Sequence, residues 1–472
     1  DQRIGSQRHG RVRMRSQPRE AHRMTLATVG TALMLLVGGG VLVGCQTLPV
    51  ESFTVNTVVD GHDAAPGDGV CEMTAGASNC SLRAAMDEAQ QTTGKSLDVT
   101  LPGGTYALDA SKGPIDVFGA SVRLHSSGPA TVDAGGAADV FDVGGTLTVD
   151  GLTVRGASQA GIAVGSTAGT LVVIGSRIEH NAGSGLSVRS GVAATVFESV
   201  VDANGSGGLL DGGIINQGGS LAVIESTIAS NHGTGVASQR GTLTGGATAQ
   251  NPTSTITTST IDHNQGAPTP CRPTATVCVN GGAGGGGMYV EDGSMSITNS
   301  TFADNTVSGF GPANLLIGHD ELEEGPGGVI VSTDLHSPTI DVLASTFVDG
   351  PVIPTLGTNT FGASLVSSCF PADSGLGDFG DNDNLTLGAP APCTFFPVGD
   401  VYRPAVADAM LGLLADNGGA TRTFLPLPGS PLIDHIPSGA ANVCDGSVTA
   451  DQRGVTRPQG TGCDVGSVEV DP

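Results

Sequence analysis

The chain contains no tryptophan and three tyrosines, and aromatic residues make up 3% of its 472 positions. Ring platforms, on which many sugar-binding surfaces rest, are therefore scarce. Lysine occurs only at Lys95 and Lys112. Seven of the 20 basic residues precede position 45, which leaves 13 basic against 43 acidic residues in the remainder. Nucleic acid needs a basic footprint, so it is not an expected partner. No C-x-x-C pair is present, which argues against zinc ribbons and thioredoxin-like redox chemistry. H-E-x-x-H and G-x-S-x-G are also missing, and with them the commonest zinc-protease and serine-hydrolase signatures. Gly94-Lys95-Ser96 resembles the end of a phosphate loop, but Ala89 stands where its first glycine is required. At 14% charged residues, the chain is not polar enough for disorder.

What is abundant is glycine, at 74 residues, and one phrase: serine, any residue, a large apolar residue, any two, asparagine. It occurs at Ser176–Asn181, Ser199–Asn204, Ser226–Asn231, Ser259–Asn264 and Ser300–Asn305, and a sixth copy from Ser345 ends in Gly350. Serine and the apolar residue are two apart, hence on one face of an extended strand. Gly or Ser follows each asparagine within a few residues, and Asn and Gly accept positive φ, so the phrase predicts a strand ending in a tight corner. A second short apolar strand follows most corners, as at Gly185–Val188 and Gly287–Val290.

Stacked units of this kind form a right-handed parallel β-helix, an all-β solenoid. Asn181, Asn204, Asn231, Asn264 and Asn305 would then hydrogen-bond up the stack as a structural ladder. Successive repeat serines lie 23, 27, 33, 41 and 45 residues apart, growth that a solenoid absorbs by ejecting loops. The loops are expected at 241–253, at 265–287 and around the acidic run 319–324. An antiparallel sandwich also has short strands and many glycines, but would not keep one side-chain phrase in register.

Of nine cysteines, Cys45 closes an apolar segment and the other eight fall into local couples: Cys71/Cys80, Cys271/Cys278, Cys369/Cys393 and Cys444/Cys463. In an exported glycine-rich protein these read as four disulfides pinning loops and ends, a pairing by proximity among roughly a hundred connectivities.

Arg15, Arg19 and Arg23 precede an apolar run from Leu26 to Val43, ending Leu42-Val43-Gly44-Cys45. This has the order of a signal peptide, and the cysteine after Leu-Val-Gly resembles a bacterial lipobox. The resemblance implies cleavage before Cys45 and lipidation of its thiol. The competing reading is a transmembrane anchor.

Cys80-Ser81-Leu82-Arg83-Ala84-Ala85 resembles the CSLREA segment at the start of many bacterial surface β-helix proteins. Leu82, Ala85, Met86 and Ala89 recur at helical spacing with Ser81 as N-cap, which predicts a short helix covering the open end of the stack. Ala84 replaces the usual glutamate, and the lost capping box should cost about 0.5–1 kcal/mol. Near the other end, Leu414-Ala415-Asp416-Asn417-Gly418-Gly419, Asp451-Gln452-Arg453-Gly454 and Cys463-Asp464-Val465-Gly466 follow in order and resemble the choice-of-anchor Q domain, which implies closure of the stack there. The expected organisation is a signal peptide (1–45), a tether (46–52), an amino-terminal cap (53–96), coils (97–370) and a closing region (371–472) with the anchor-like domain at 414–470.

Chemistry is harder to place. Glu198 and Glu225 share a repeat position in consecutive coils, as Asp202 and Asp262 do across separated ones, but Gly175, Thr258 and Asn299 interrupt the first column. These carboxylates read as solvent-facing strand residues, and His180, His232 and His263 as solvated corner residues. Asp60, Asp63 and Asp68, and separately Asp378, Asp381 and Asp383, could hold calcium; no other cofactor is expected. The sequence reading is thus a non-catalytic protein of the bacterial envelope, attached to the membrane by lipid. Its expected role is binding or structural, as an adhesin or envelope component. Extracellular polysaccharide or a host or neighbouring-cell surface is its expected partner. The alternative is a polysaccharide lyase or glycoside hydrolase on the same scaffold.

Overall fold

The structure, a computed structural model, describes residues 50–366 and 409–471 apart from short internal stretches, with two further strands at Leu385–Leu387 and Val401–Arg403. Cys45, Cys271, Cys369, Cys393, Asp378, Asp381, Asp383 and the side chain of Cys278 lie outside the described residues.

Alternating apolar residues and left-handed corners wind the chain into a right-handed parallel β-helix with three faces. The first face stacks Ser96–Leu101, the start of Ser121–Asp133, the start of Thr146–Arg155, then Thr170–Ile174, Ala193–Phe197, Ser220–Ile224, Thr253–Thr257, Ser294–Thr298 and Thr339–Leu343. The second face carries the repeated phrase: Arg177–Glu179, Val200–Asp202, Thr227–Ala229, Thr260–Asp262, Thr301–Ala303 and Thr346–Phe347. The third runs from Ile115–Val117 through Ser184–Arg189 and Thr234–Gln239 to Val352–Pro354. Register is exact in period two, so Ile178, Val201, Ile228, Ile261, Phe302 and Phe347 form one fully buried column. Each such side chain contributes about 1.5–3 kcal/mol of burial. Phe302 and Phe347 stack with centroids 4.6 Å apart.

The phrase builds two polar ladders inside this apolar stack. Asn181 Nδ2 donates to Asn204 Oδ1 (2.9 Å), Asn204 to Asn231 (3.1 Å), Asn231 to Asn264 (2.8 Å) and Asn264 to Asn305 (3.0 Å). Asn314 continues the ladder by accepting from Asn305 Nδ2 at 2.9 Å and donating to Val348 O, where the sixth phrase supplies only glycine. The second ladder is of serine: each hydroxyl accepts the N–H of the preceding repeat serine, from Ser176–Ser199 to Ser300–Ser345. These side chains are buried, and each satisfied group avoids a desolvation penalty of about 1–3 kcal/mol. An added Cβ at Gly185, Gly213 or Gly235 would lie 2.9, 3.0 or 2.8 Å from a ladder amide, which is why glycine opens the strand after each corner.

The corners differ from expectation in one respect. Positive φ falls on the residue before each asparagine (His180, Ala203, Ser230, His263, Asp304) and on the residue before each serine (Gly175, Glu198, Glu225, Thr258, Asn299, Ala344). Asparagine and serine must point inward to reach their ladders, so their neighbours take the left-handed turn and point outward.

At the amino end, Val50–Thr54 pairs with Ser96–Leu101, and the helix Leu82–Gln91 covers the first coil with Leu82, Ala85, Met86 and Ala89. Ser81 Oγ accepts the Ala84 N–H at 3.0 Å, the N-cap bond the sequence predicts. Cys71 and Cys80 are bonded.

The carboxyl-terminal module, 409–471, lies on the flank of the second face, where the sequence reading expects it to close the end. Gln452 bonds to Thr260 Oγ1, Thr227 Oγ1, Thr421 Oγ1 and Ser226 O. Ser467 Oγ reaches Thr260 and Thr301, and Thr346 Oγ1 donates to Val465 O. Ala303, Ala344 and Val348 pack against Phe424, Leu432 and Val465. Within the module, Arg457 and Glu469 form a fully buried pair at 2.9 Å, Asp451 takes the Val455 and Glu469 N–H groups, and Cys444 is bonded to Cys463.

Candidate active site

The outward residues of the second face form a charged column wherever the module does not cover them. Register aligns Arg155, Glu179, Asp202, Ala229, Asp262 and Ala303. Arg155 Nε pairs with Asp133 at 2.9 Å, and Arg177 donates to both Glu179 and Asp202. Burial pushes the Asp202 carboxyl up, and Arg177 opposes it.

Beside this column the corner residues open a cleft of about 350 Å³ between the coils and the module, lined by Gly151, Gly175, Arg177, Glu198, Val200 and Ala420. Small corner residues, Gly151 and Gly175, make the space, and Arg177 and Glu198 supply its charge. Glu225 follows Glu198 in the same corner column, roughly 4.8 Å along the stack. Its backbone carbonyl accepts from Thr421 Oγ1. Burial, then the charges of Glu198 and Asp451, push its carboxyl up to about 7. Glu198 and Glu225 are therefore corner residues with left-handed φ, where the sequence reading has them as solvent-facing strand positions. A carboxylate that exchanges its proton near neutrality can accept a proton from a carbon acid.

Of the calcium candidates, the group at Asp60, Asp63 and Asp68 is only partly brought together. Asp60 is committed to Arg83, both side chains 4% exposed, with Nε–Oδ1 at 2.8 Å. Asp63 and Asp68 instead group with Glu88, within 4.8 Å of one another, a partner the sequence spacing does not reveal. Backbone amides already engage them: Ala65 and Glu72 on Asp63, Val70 on Asp68, Gly67 and Gly69 on Glu88. Burial raises the Glu88 carboxyl against those amides. This all-oxygen set could accept calcium at the expense of part of its loop bonding. Asp262, His263 and Asp304 form a second group of potential ligands. There burial pushes Asp262 up to about 6, opposed first by the His263 hydrogen bond and charge.

A family model described as a right handed beta helix region matches residues 140–335. Among solved structures the chain is similar to the crystal structure of pectate lyase Pel9A, at 17% identity and a TM-score of 0.51, over 90% of this chain and 97% of that one. It is also similar to a rhamnogalacturonan lyase, at 11% identity and a TM-score of 0.35, over 80% of this chain and 96% of that one. No curated protein sequence matches. The fold is thus the right-handed β-helix that the repeat predicts. The expectation that the chain is not an enzyme is corrected by the likeness to pectate lyase Pel9A. That expectation rested on the lack of a repeated carboxylate pair and of aromatic platforms. A solenoid needs its reacting groups at one coil only, and the cleft at Arg177 and Glu198 supplies such a place.

Proposed function

We propose that the chain is a polysaccharide lyase acting on a uronic-acid polymer in the cleft beside Arg177. The observation that carries this reading is the cleft itself, which holds Arg177 and Glu198, with Glu225 next in the corner column and poised near neutral pH. The likeness to pectate lyase Pel9A supports it. In such an elimination, a base takes the proton on the carbon next to the uronate carboxylate while a cation offsets that carboxylate. The bond to the leaving sugar oxygen then breaks, a carbon–carbon double bond forms, and the departing oxygen takes a proton from solvent water. Arg177 would meet the carboxylate, and Glu225, ionised above about pH 7, would receive the proton. The test is incubation of purified protein with uronic-acid and neutral polysaccharides, read by the ultraviolet absorbance of unsaturated ends. Uronate polymers should give that signal. Reducing ends without unsaturation would indicate hydrolysis and contradict the elimination.

We also propose that the rod is held at the bacterial envelope through a lipid on Cys45, on the strength of Leu42-Val43-Gly44-Cys45 after an apolar run. Cys45→Ser should abolish fatty-acid labelling and release the protein or leave it uncleaved. Continued labelling would contradict the anchor.

A further inference from the structure

The second face twice brings a corner histidine together with two carboxylates, and the two groups differ in their balancing cation. In one coil the phrase reads Arg177-Ile178-Glu179-His180 and in another Thr260-Ile261-Asp262-His263. Each sets a strand-end carboxylate beside a corner histidine, and the next coil adds a second carboxylate, Asp202 at the strand end or Asp304 one residue on, at the corner. Around Glu179 and Asp202 the balancing cation is Arg177, which bonds to both. Around Asp262 and Asp304 the equivalent residue is Thr260, whose hydroxyl is turned to Gln452 and Ser467 of the module.

Asp262 is 1% exposed, and its Oδ1 has no hydrogen-bond partner. His263 Nδ1 lies 2.7 Å from Asp262 Oδ2, within ion-pair distance, and 3.8 Å from Asp304 Oδ2. The left-handed corners at His263 (φ 50°) and Asp304 (φ 52°) turn both side chains to the same side of consecutive coils, and His263 N bonds Ala303 O at 3.2 Å. One donor atom from each of the three residues lies within 4.8 Å of the others. A buried carboxylate with one oxygen left unpartnered is completed by a bound cation. Imidazole nitrogen with two carboxylate oxygens suits a divalent transition metal rather than calcium, which prefers an all-oxygen set.

We infer that Asp262, His263 and Asp304 form a binding site for a divalent transition-metal ion, which takes the place held by Arg177 in the equivalent coil. The ion joins the coils of 259–264 and 300–305 beside the threonines on which the carboxyl-terminal module docks. The site lies three coils from Arg177, roughly 14 Å along the stack, and does not depend on the proposed elimination.

The experiment uses untagged, chelator-treated protein titrated with zinc or manganese chloride by calorimetry, with the metal content counted by mass spectrometry. The wild type should take up one equivalent. His263→Ala and Asp304→Asn, both on solvent-facing side chains, should weaken that uptake by more than about tenfold. Asp262→Asn should do the same, and Asp68→Asn, in the amino-terminal cluster, should leave it intact. Chelation should lower the melting temperature of the wild type and not that of His263→Ala. Wild-type affinity in His263→Ala and Asp304→Asn, or uptake of calcium alone, would overturn the site.

Discussion

Along the second face, two stretches of one ladder meet different surroundings. Where the residue after the repeat serine is Arg177 or Val200, the flank stays partly open and borders the cleft. Where it is Thr227, Thr260, Thr301 or Thr346, the flank is buried beneath the carboxyl-terminal module. The inner halves of these coils share the same serine ladder and apolar column, and the same asparagine bonds up to Asn305. A solenoid thus separates stability from function by side-chain parity: inward positions repeat, and outward positions are free to become a dock or a site.

The strongest way to break this contrast is to unfold the cover. Arg457→Ala leaves Glu469 buried and unpaired and should destabilise the module by about 3–5 kcal/mol. Limited proteolysis should then cut between 409 and 471 while the coils persist. Next, Thr260→Arg writes the open coil's residue into the covered one. Overpacking and a buried charge at a site with 0% exposure should cost about 2–3 kcal/mol, seen as a lower denaturation midpoint and earlier proteolysis of the module.

A smaller effect tests the border between the two stretches. Burial raises Glu225 from 4.5 to about 7 in the folded chain, so between these values the folded state holds a proton that the unfolded state has released. Stability therefore falls as pH rises through that window. Glu225→Gln should be more stable than wild type by about 1–2 kcal/mol above pH 7 and show no such gain below pH 4.5, by denaturant melts at both ends. The smallest effect on stability is expected of Arg177→Thr, the reverse exchange. Arg177 is 41% exposed, but Glu179 and Asp202, 15% and 8% exposed, lose their shared cation, so the cost should be about 1 kcal/mol.

The sequence made the inner half of this molecule legible because ladder and column residues must recur in register. Asn181 to Asn305, the buried Ile178 column and the Ser81 cap could all be read from spacing. Asn314 could not, because it enters the ladder from outside the phrase, nine residues beyond Asn305. The flank position of the module was equally hidden. Gln452 meets Thr260 across 192 residues, and nothing local distinguishes a docking threonine from a solvated one. Of the candidate site, Glu198 and Glu225 were visible as a column but not as corner residues. Arg177 carried no signal until its contacts with Glu179 and Asp202 were seen. The amino-terminal carboxylate cluster was only partly legible for the same reason, since Asp60 is drawn to Arg83 and Glu88 joins from the helix.

The most direct measurement of the central claim compares unsaturated-product formation from a uronic-acid polymer by wild type, Arg177→Thr and Thr260→Val. If the open stretch of the second face is the active site, wild type and Thr260→Val should release product at comparable rates. Arg177→Thr, still folded, should then fall by about a hundredfold or more, as expected for loss of a charge-stabilising group. Equal rates in Arg177→Thr and wild type would contradict the placement of the site, and no product from the wild type on any uronate polymer would contradict the activity.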